Sequence, residues 1–65
     1  MTKTAEWNAK LAKRVKAELE SMREGASLPI DFEEYAGGIE DMLDACEDAG
    51  LDAQWRADGL IRVSL

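Results

Sequence analysis

DFEEYAGGIEDMLDACEDAGLD, residues Asp31 to Asp52, holds nine carboxylates and no Lys, Arg or His. Seven of its apolar residues, Phe32, Tyr35, Ala36, Ile39, Met42, Leu43 and Cys46, are spaced 3, 1, 3, 3, 1 and 3. At about 100° per residue they form one stripe, which predicts an amphipathic helix over about 31–49. Glu33, Glu34, Glu40, Asp41, Asp44, Glu47 and Asp48 fall on the opposite face.

Both ends of the segment carry stop signals. Asp31 is placed as an N-cap, with Glu34 as its capping-box partner and Ile30 and Tyr35 as a hydrophobic staple. Pro29 keeps the helix from starting earlier. Gly50 fits the residue just past the helix, with Leu51 set to touch Cys46 in a Schellman close. Gly37-Gly38 lies inside the period and costs about 1–2 kcal/mol relative to alanine. Because the stripe runs through the pair, one helix is expected, kinked or closely packed there.

Upstream, Thr4 is an N-cap candidate, and Trp7, Leu11, Val15, Leu19 and Met22 recur at spacings of 4, 4, 4 and 3. They predict a first amphipathic helix over about 4–24, closed by Gly25. Glu6 and Lys10 form a favourable i,i+4 pair. Lys10, Lys13, Arg14 and Lys16 spread around this helix among Glu18 and Glu20, as expected of a solvated surface. A second reading pairs them with the acidic helix of the same or another chain. In the connector Ala26–Ile30, Leu28 and Ile30 either anchor the loop in the core or form a short edge strand.

Downstream, Leu51, Ala53 and Trp55 alternate, as do Ile61, Val63 and Leu65, which predicts a hairpin over about 51–65. A two-residue Asp58-Gly59 turn would place the two apolar rows on opposite faces. A three-residue loop, Ala57-Asp58-Gly59, pairs Arg56 with Leu60, Trp55 with Ile61, Ala53 with Val63 and Leu51 with Leu65, and puts both rows on one face. The three-residue loop is therefore predicted, with Gly59 left-handed. Gln54, Arg56 and Arg62 take the other face.

A lone hairpin is marginal, so the helices must cover it. The expected fold is a single small α+β domain, α-α-β-β, with two amphipathic helices packed on a C-terminal hairpin. Its expected core is the two helical stripes, Leu51 and the apolar hairpin rows, with Trp55 and Tyr35 as core residues or, alternatively, interface anchors.

A chain of 65 residues has little room for a large catalytic cleft. Its net charge of −6 divides unevenly. Residues 1–30 hold six basic and four acidic groups, +2, and residues 31–65 hold two and ten, −8. Such asymmetry suits a basic protein partner and disfavours direct binding of nucleic acid. The single cysteine, Cys46, lies on the apolar stripe and reads as a buried free thiol. With no histidine, the commonest general base is missing, and so is a zinc ligand set. The acids do not follow the spacing of a calcium loop. No phosphate loop follows a strand, and no apolar run approaches 18 residues. A soluble, cytoplasmic, non-enzymatic protein without metal or cofactor is expected.

As one helix, Glu33 to Asp48 would span about 22 Å and place a negative charge every 3.2 Å or so. One DNA strand presents a phosphate about every 3.4 Å. The acids could thus stand in for phosphates in the basic groove of a nucleic-acid-binding protein. The plain alternative is a solvated helix face. In size, and in the segment DFEEYAGGIEDMLDACEDAGLD, the chain resembles the small phage-encoded anti-CRISPR proteins. The resemblance is to the DNA mimics directed at type I effector complexes, the type I-C inhibitors above all. It implies a monomer acting in the host cell, which binds a DNA-recognising effector subunit and blocks DNA entry. Glu33, Glu34, Glu40, Asp41, Asp44, Glu47 and Asp48 are the expected partner-binding residues. The basic first helix departs from a uniformly acidic mimic. Two other classes fit the same charges: an antitoxin or regulatory subunit paired with a basic protein, and a homodimer joining basic to acidic helix.

Overall fold

The computed structural model describes residues 3–56 and 59–65. Its elements are α1 (Lys3–Glu20), β1 (Ser27–Ile30), α2 (Ile39–Asp48), β2 (Asp52–Trp55) and β3 (Ile61–Ser64). The strands form one antiparallel sheet in the order β1-β3-β2. This is the expected α+β class, with the hairpin widened by a third strand. Leu28 and Ile30 therefore do both things the sequence allows. They form an edge strand, and Ile30 is fully buried.

The hairpin register is the predicted one. Trp55 pairs with Ile61 and Ala53 with Val63. The Arg56 N–H donates to the Leu60 carbonyl, and Gly59 has φ +78°. Ala57 and Asp58, the other two residues of the predicted loop, lie outside the described residues. β1 extends each row: Ile30 joins Ile61 and Trp55, and Leu28 joins Val63 and Ala53. Ile30, Ile61 and Val63 pack with Leu11, Val15, Leu19, Met42 and Cys46, so the helices cover this face of the sheet. The other face presents Pro29, Gln54 and Arg62 to solvent.

The first helix ends at Glu20, four residues earlier than predicted. Ser21 competes for the backbone: its hydroxyl donates to the Glu18 carbonyl (2.8 Å), and the Met22 N–H turns back to Leu19 (3.1 Å). Gly25 therefore lies in the following turn rather than at the helix end, and Met22 is exposed. Thr4 lies inside the helix. The buried stripe is Asn8, Leu11, Ala12, Val15 and Leu19, rotated from the predicted one, which leaves Trp7 exposed.

The larger correction concerns the opening stretch. α2 begins at Ile39, not near Asp31. Gly37 adopts φ +74°, a left-handed conformation that a right-handed helix cannot contain. Residues 31–38 instead form a turn, opened by the Glu34 N–H donating to the Asp31 carbonyl (2.9 Å). Asp31 and Glu34 are thus not a helix cap. Gly38 takes the N-cap position, and its N–H donates to the Asp41 carboxylate (3.1 Å). At the other end the predicted Schellman close is present. Leu51 N–H reaches the Cys46 carbonyl (2.9 Å), and Gly50 N–H reaches that of Glu47 (3.0 Å).

Three further residues expected in the core are exposed: Phe32, Trp55 and Leu65. Phe32 belongs to the turn, so no helix carries it inward. Trp55 ends the edge strand β2, on the helix-facing side but at the margin of the covered sheet. Leu65 lies past the last ladder pair, Asp52 with Ser64.

Candidate acidic interface

Three side chains hold the 31–38 turn. Asn8, fully buried on α1, donates from Nδ2 to the Ala36 carbonyl (2.9 Å) and accepts from the Ala36 N–H at Oδ1 (2.8 Å). The amide thus imitates a strand partner and satisfies both backbone groups of one residue. Trp7 Nε1 donates to the Glu34 carbonyl (2.8 Å), and the Tyr35 hydroxyl donates to the Gly59 carbonyl (2.7 Å). The turn is therefore tied to α1 at one side and to the hairpin at the other.

The same contacts orient the helices. A Cβ built on Gly37 would meet Thr4 Cγ2 at 2.9 Å, and one on Gly50 would stand 3.5 Å from Lys16 Nζ. The start of α1 thus lies beside the start of α2, and Lys16 lies beside the end of α2. The two helices run in the same direction, and Lys16 places a positive charge near the negative end of the α2 dipole.

All seven predicted partner-binding residues are exposed, but they do not share one helix. Glu40, Asp41, Asp44, Glu47 and Asp48 lie on α2, and Glu33 and Glu34 lie on the turn. At about 100° per residue the five on α2 fill an arc of about 120°. Asp44 stands opposite the midpoint of buried Met42 and Cys46. Glu40 to Asp48 covers about 12 Å of axis, one charge per 2.4 Å or so. The predicted 22 Å rod is therefore shorter, with its charge somewhat denser. Among the described residues, none of these five carboxylates makes an ion pair with Lys or Arg.

The acids of α2 face two ways. Asp41, Asp44 and Asp48 border a groove of about 270 Å³ between α1 and α2, and Glu40 and Glu47 lie outside it. The groove floor is mostly alanine, Ala5 and Ala9 on α1 with Ala45 on α2 and Ala49 at its C-cap, and Thr4 borders it at the start of α1. Lys13 stands on the α1 rim.

Sequence reasoning missed the anchoring residues Asn8 and Trp7. An Asn beside an apolar stripe was the available signal for a buried polar clamp. It also missed the groove, because alanines at a spacing of four carry little weight in an apolar stripe.

Two apolar side chains flank Glu33 and Glu34. The Trp7 ring is 58% exposed, and the Phe32 ring, which packs near Gly59, is 61% exposed. Cys46 is a buried free thiol, and burial raises its pKa from 9.0 to about 11. It is therefore neutral and unreactive at ordinary pH. Among the described residues, no helix is long and apolar enough to cross a membrane. Comparison of the chain with protein-family models, with curated proteins and with solved structures finds no match.

Proposed function

We propose that this protein is a non-enzymatic inhibitor that binds the basic nucleic-acid-binding surface of a protein partner. The acidic face of α2 takes the place of DNA phosphates. The observation that carries this reading is the arc of five exposed carboxylates on α2, none of them ion-paired to Lys or Arg among the described residues, opposite a buried core face. A charge every 2.4 Å or so of axis is at least as dense as the phosphates of one DNA strand, about 3.4 Å apart. A carboxylate has a shorter reach than a phosphate, so mimicry requires a fixed backbone. The Schellman close, the Gly38–Asp41 bond and the Asn8 clamp supply it. On the resemblance to anti-CRISPR proteins, the partner is a DNA-recognising subunit of a type I effector complex in the host cytoplasm, and the inhibitor acts as a monomer.

The test is a pull-down from host lysate at low and high salt, with and without competing duplex DNA. This reading expects a nucleic-acid-binding protein that is lost both with salt and with DNA. Recovery of a partner indifferent to DNA would overturn it.

A second reading rests on exposed Trp7 and Phe32 beside Glu33 and Glu34. Aromatic rings flanked by charge are common anchors of protein–protein interfaces. They favour an antitoxin or regulatory subunit that grips a basic protein without competing with DNA. Phe32→Ala would then weaken binding more than charge reversal on α2 does.

A further inference from the structure

The groove between α1 and α2 goes beyond a charged helix face. Its acidic rim, Asp41, Asp44 and Asp48, has the spacing i, i+3, i+7, which is one stripe along α2. Its floor has methyl groups at i and i+4 on both helices, Ala5 and Ala9 facing Ala45 and Ala49. Parallel helices keep such a trough straight for the nine residues from Asp41 to Ala49, about 12 Å or two turns. Small residues let another backbone approach closely, and an apolar floor shelters the aliphatic stems of long cationic side chains.

We infer that this groove seats a basic amphipathic helix of the partner. Lys or Arg residues on one face of that helix meet Asp41, Asp44 and Asp48, and its small apolar residues rest on the alanines. Charge complementarity selects the occupant: the rim is acidic and, among the described residues, makes no ion pair with Lys or Arg, and the alanine floor offers a hydrogen-bonding side chain only at its Thr4 end. The stripe matches the anchor spacing of a helix laid in a groove, not that of an extended strand. Lys13, on the opposite rim, repels the incoming cations and tunes the affinity downward. The inference rests on the acidic-face reading and narrows it, because it names the α1–α2 trough and assigns no contact to Glu40 and Glu47.

Two alanine-based helical peptides of identical composition test it. One carries three arginines on a single face at i, i+3 and i+7, and the other distributes them around the helix. Each is titrated into the isotopically labelled protein, with methyl resonances recorded. The one-face peptide should bind about tenfold more tightly. It should shift the Ala9 and Ala45 methyls. Ala45→Leu, which fills the trough without changing charge, should weaken that peptide about tenfold. Lys13→Met, which leaves the floor intact, should tighten it and guards against a folding defect in Ala45→Leu. Equal binding of both peptides, indifferent to Ala45→Leu but lost on reversing Asp44, Glu47 and Asp48 to Lys, would overturn the trough and leave the acidic face standing. Failure of both peptides to bind would overturn the inference outright, and the lysate experiment would still judge the acidic face separately.

Discussion

Asn8 ties α1 to the 31–38 turn through two hydrogen bonds to Ala36. Among the described residues its amide is the sole partner of both Ala36 backbone groups, and it is fully buried. Asn8→Ala strands a donor and an acceptor, so it should cost about 2–3 kcal/mol in a urea melt. The adjacent glycines should behave differently from each other. At Gly37 a methyl group would collide with the Asp41 carboxylate and crowd Thr4, in a left-handed backbone. Gly37→Ala should therefore cost at least about 1–2 kcal/mol. At Gly38 the backbone is extended (φ −92°) and nothing lies within 4 Å, so Gly38→Ser should change stability by no more than about 0.5 kcal/mol. Equal losses at both positions would refute this account of the turn. Cys46 predicts a pH dependence. Its pKa is raised on folding, so the folded state holds the thiol proton more tightly than the unfolded chain does. The associated stability is fully present below pH 9.0 and is lost as pH climbs toward about 11. The loss is on the order of 2 kcal/mol. Thermal melts should show the loss in the native chain and not in Cys46→Ala.

The elements differ in how plainly the sequence announces them. The hairpin is readable because two alternating rows and one turn admit only one loop length that puts both rows on a face. The Trp55–Ile61 and Ala53–Val63 pairs follow from that. The end of α2 is readable because Gly50 and Leu51 sit at the right offsets from Cys46. Its beginning is not. Phe32, Tyr35 and Ala36 continue the helical period, yet the backbone there is held by Asn8, Trp7 and the Tyr35–Gly59 bond, which span 24 to 28 residues. No local periodicity reports partners so distant. The third strand is half readable, since Pro29 argues against helix without saying which strand β1 joins. Of the candidate site, the exposure of its seven acids was legible, and their division between turn and helix was not. The Asp41 carboxylate also caps α2, so charge reversal is better placed elsewhere. Asp44, Glu47 and Asp48 changed together to Lys should abolish partner binding in a pull-down and leave the helical circular dichroism unchanged. A parallel loss of helicity would mean that these acids serve the fold.

At the scale of the whole molecule the charge is polar, +2 over residues 1–30 and −8 over residues 31–65. Such a field steers a basic partner toward α2 and fades beyond a Debye length of about 8 Å at physiological salt. The association rate should therefore fall with ionic strength far more than the dissociation rate rises, as stopped-flow mixing at several salt concentrations can establish. The central claim is that the α2 face and duplex DNA occupy the same surface of the partner. The most direct measurement is a competition titration: labelled duplex DNA on the captured partner, displaced by this protein and followed by fluorescence anisotropy. Complete displacement is expected, with an apparent DNA affinity that falls in proportion to added protein and no effect from the Asp44, Glu47 and Asp48 triple Lys variant. DNA that stays bound while this protein binds alongside it would contradict the account.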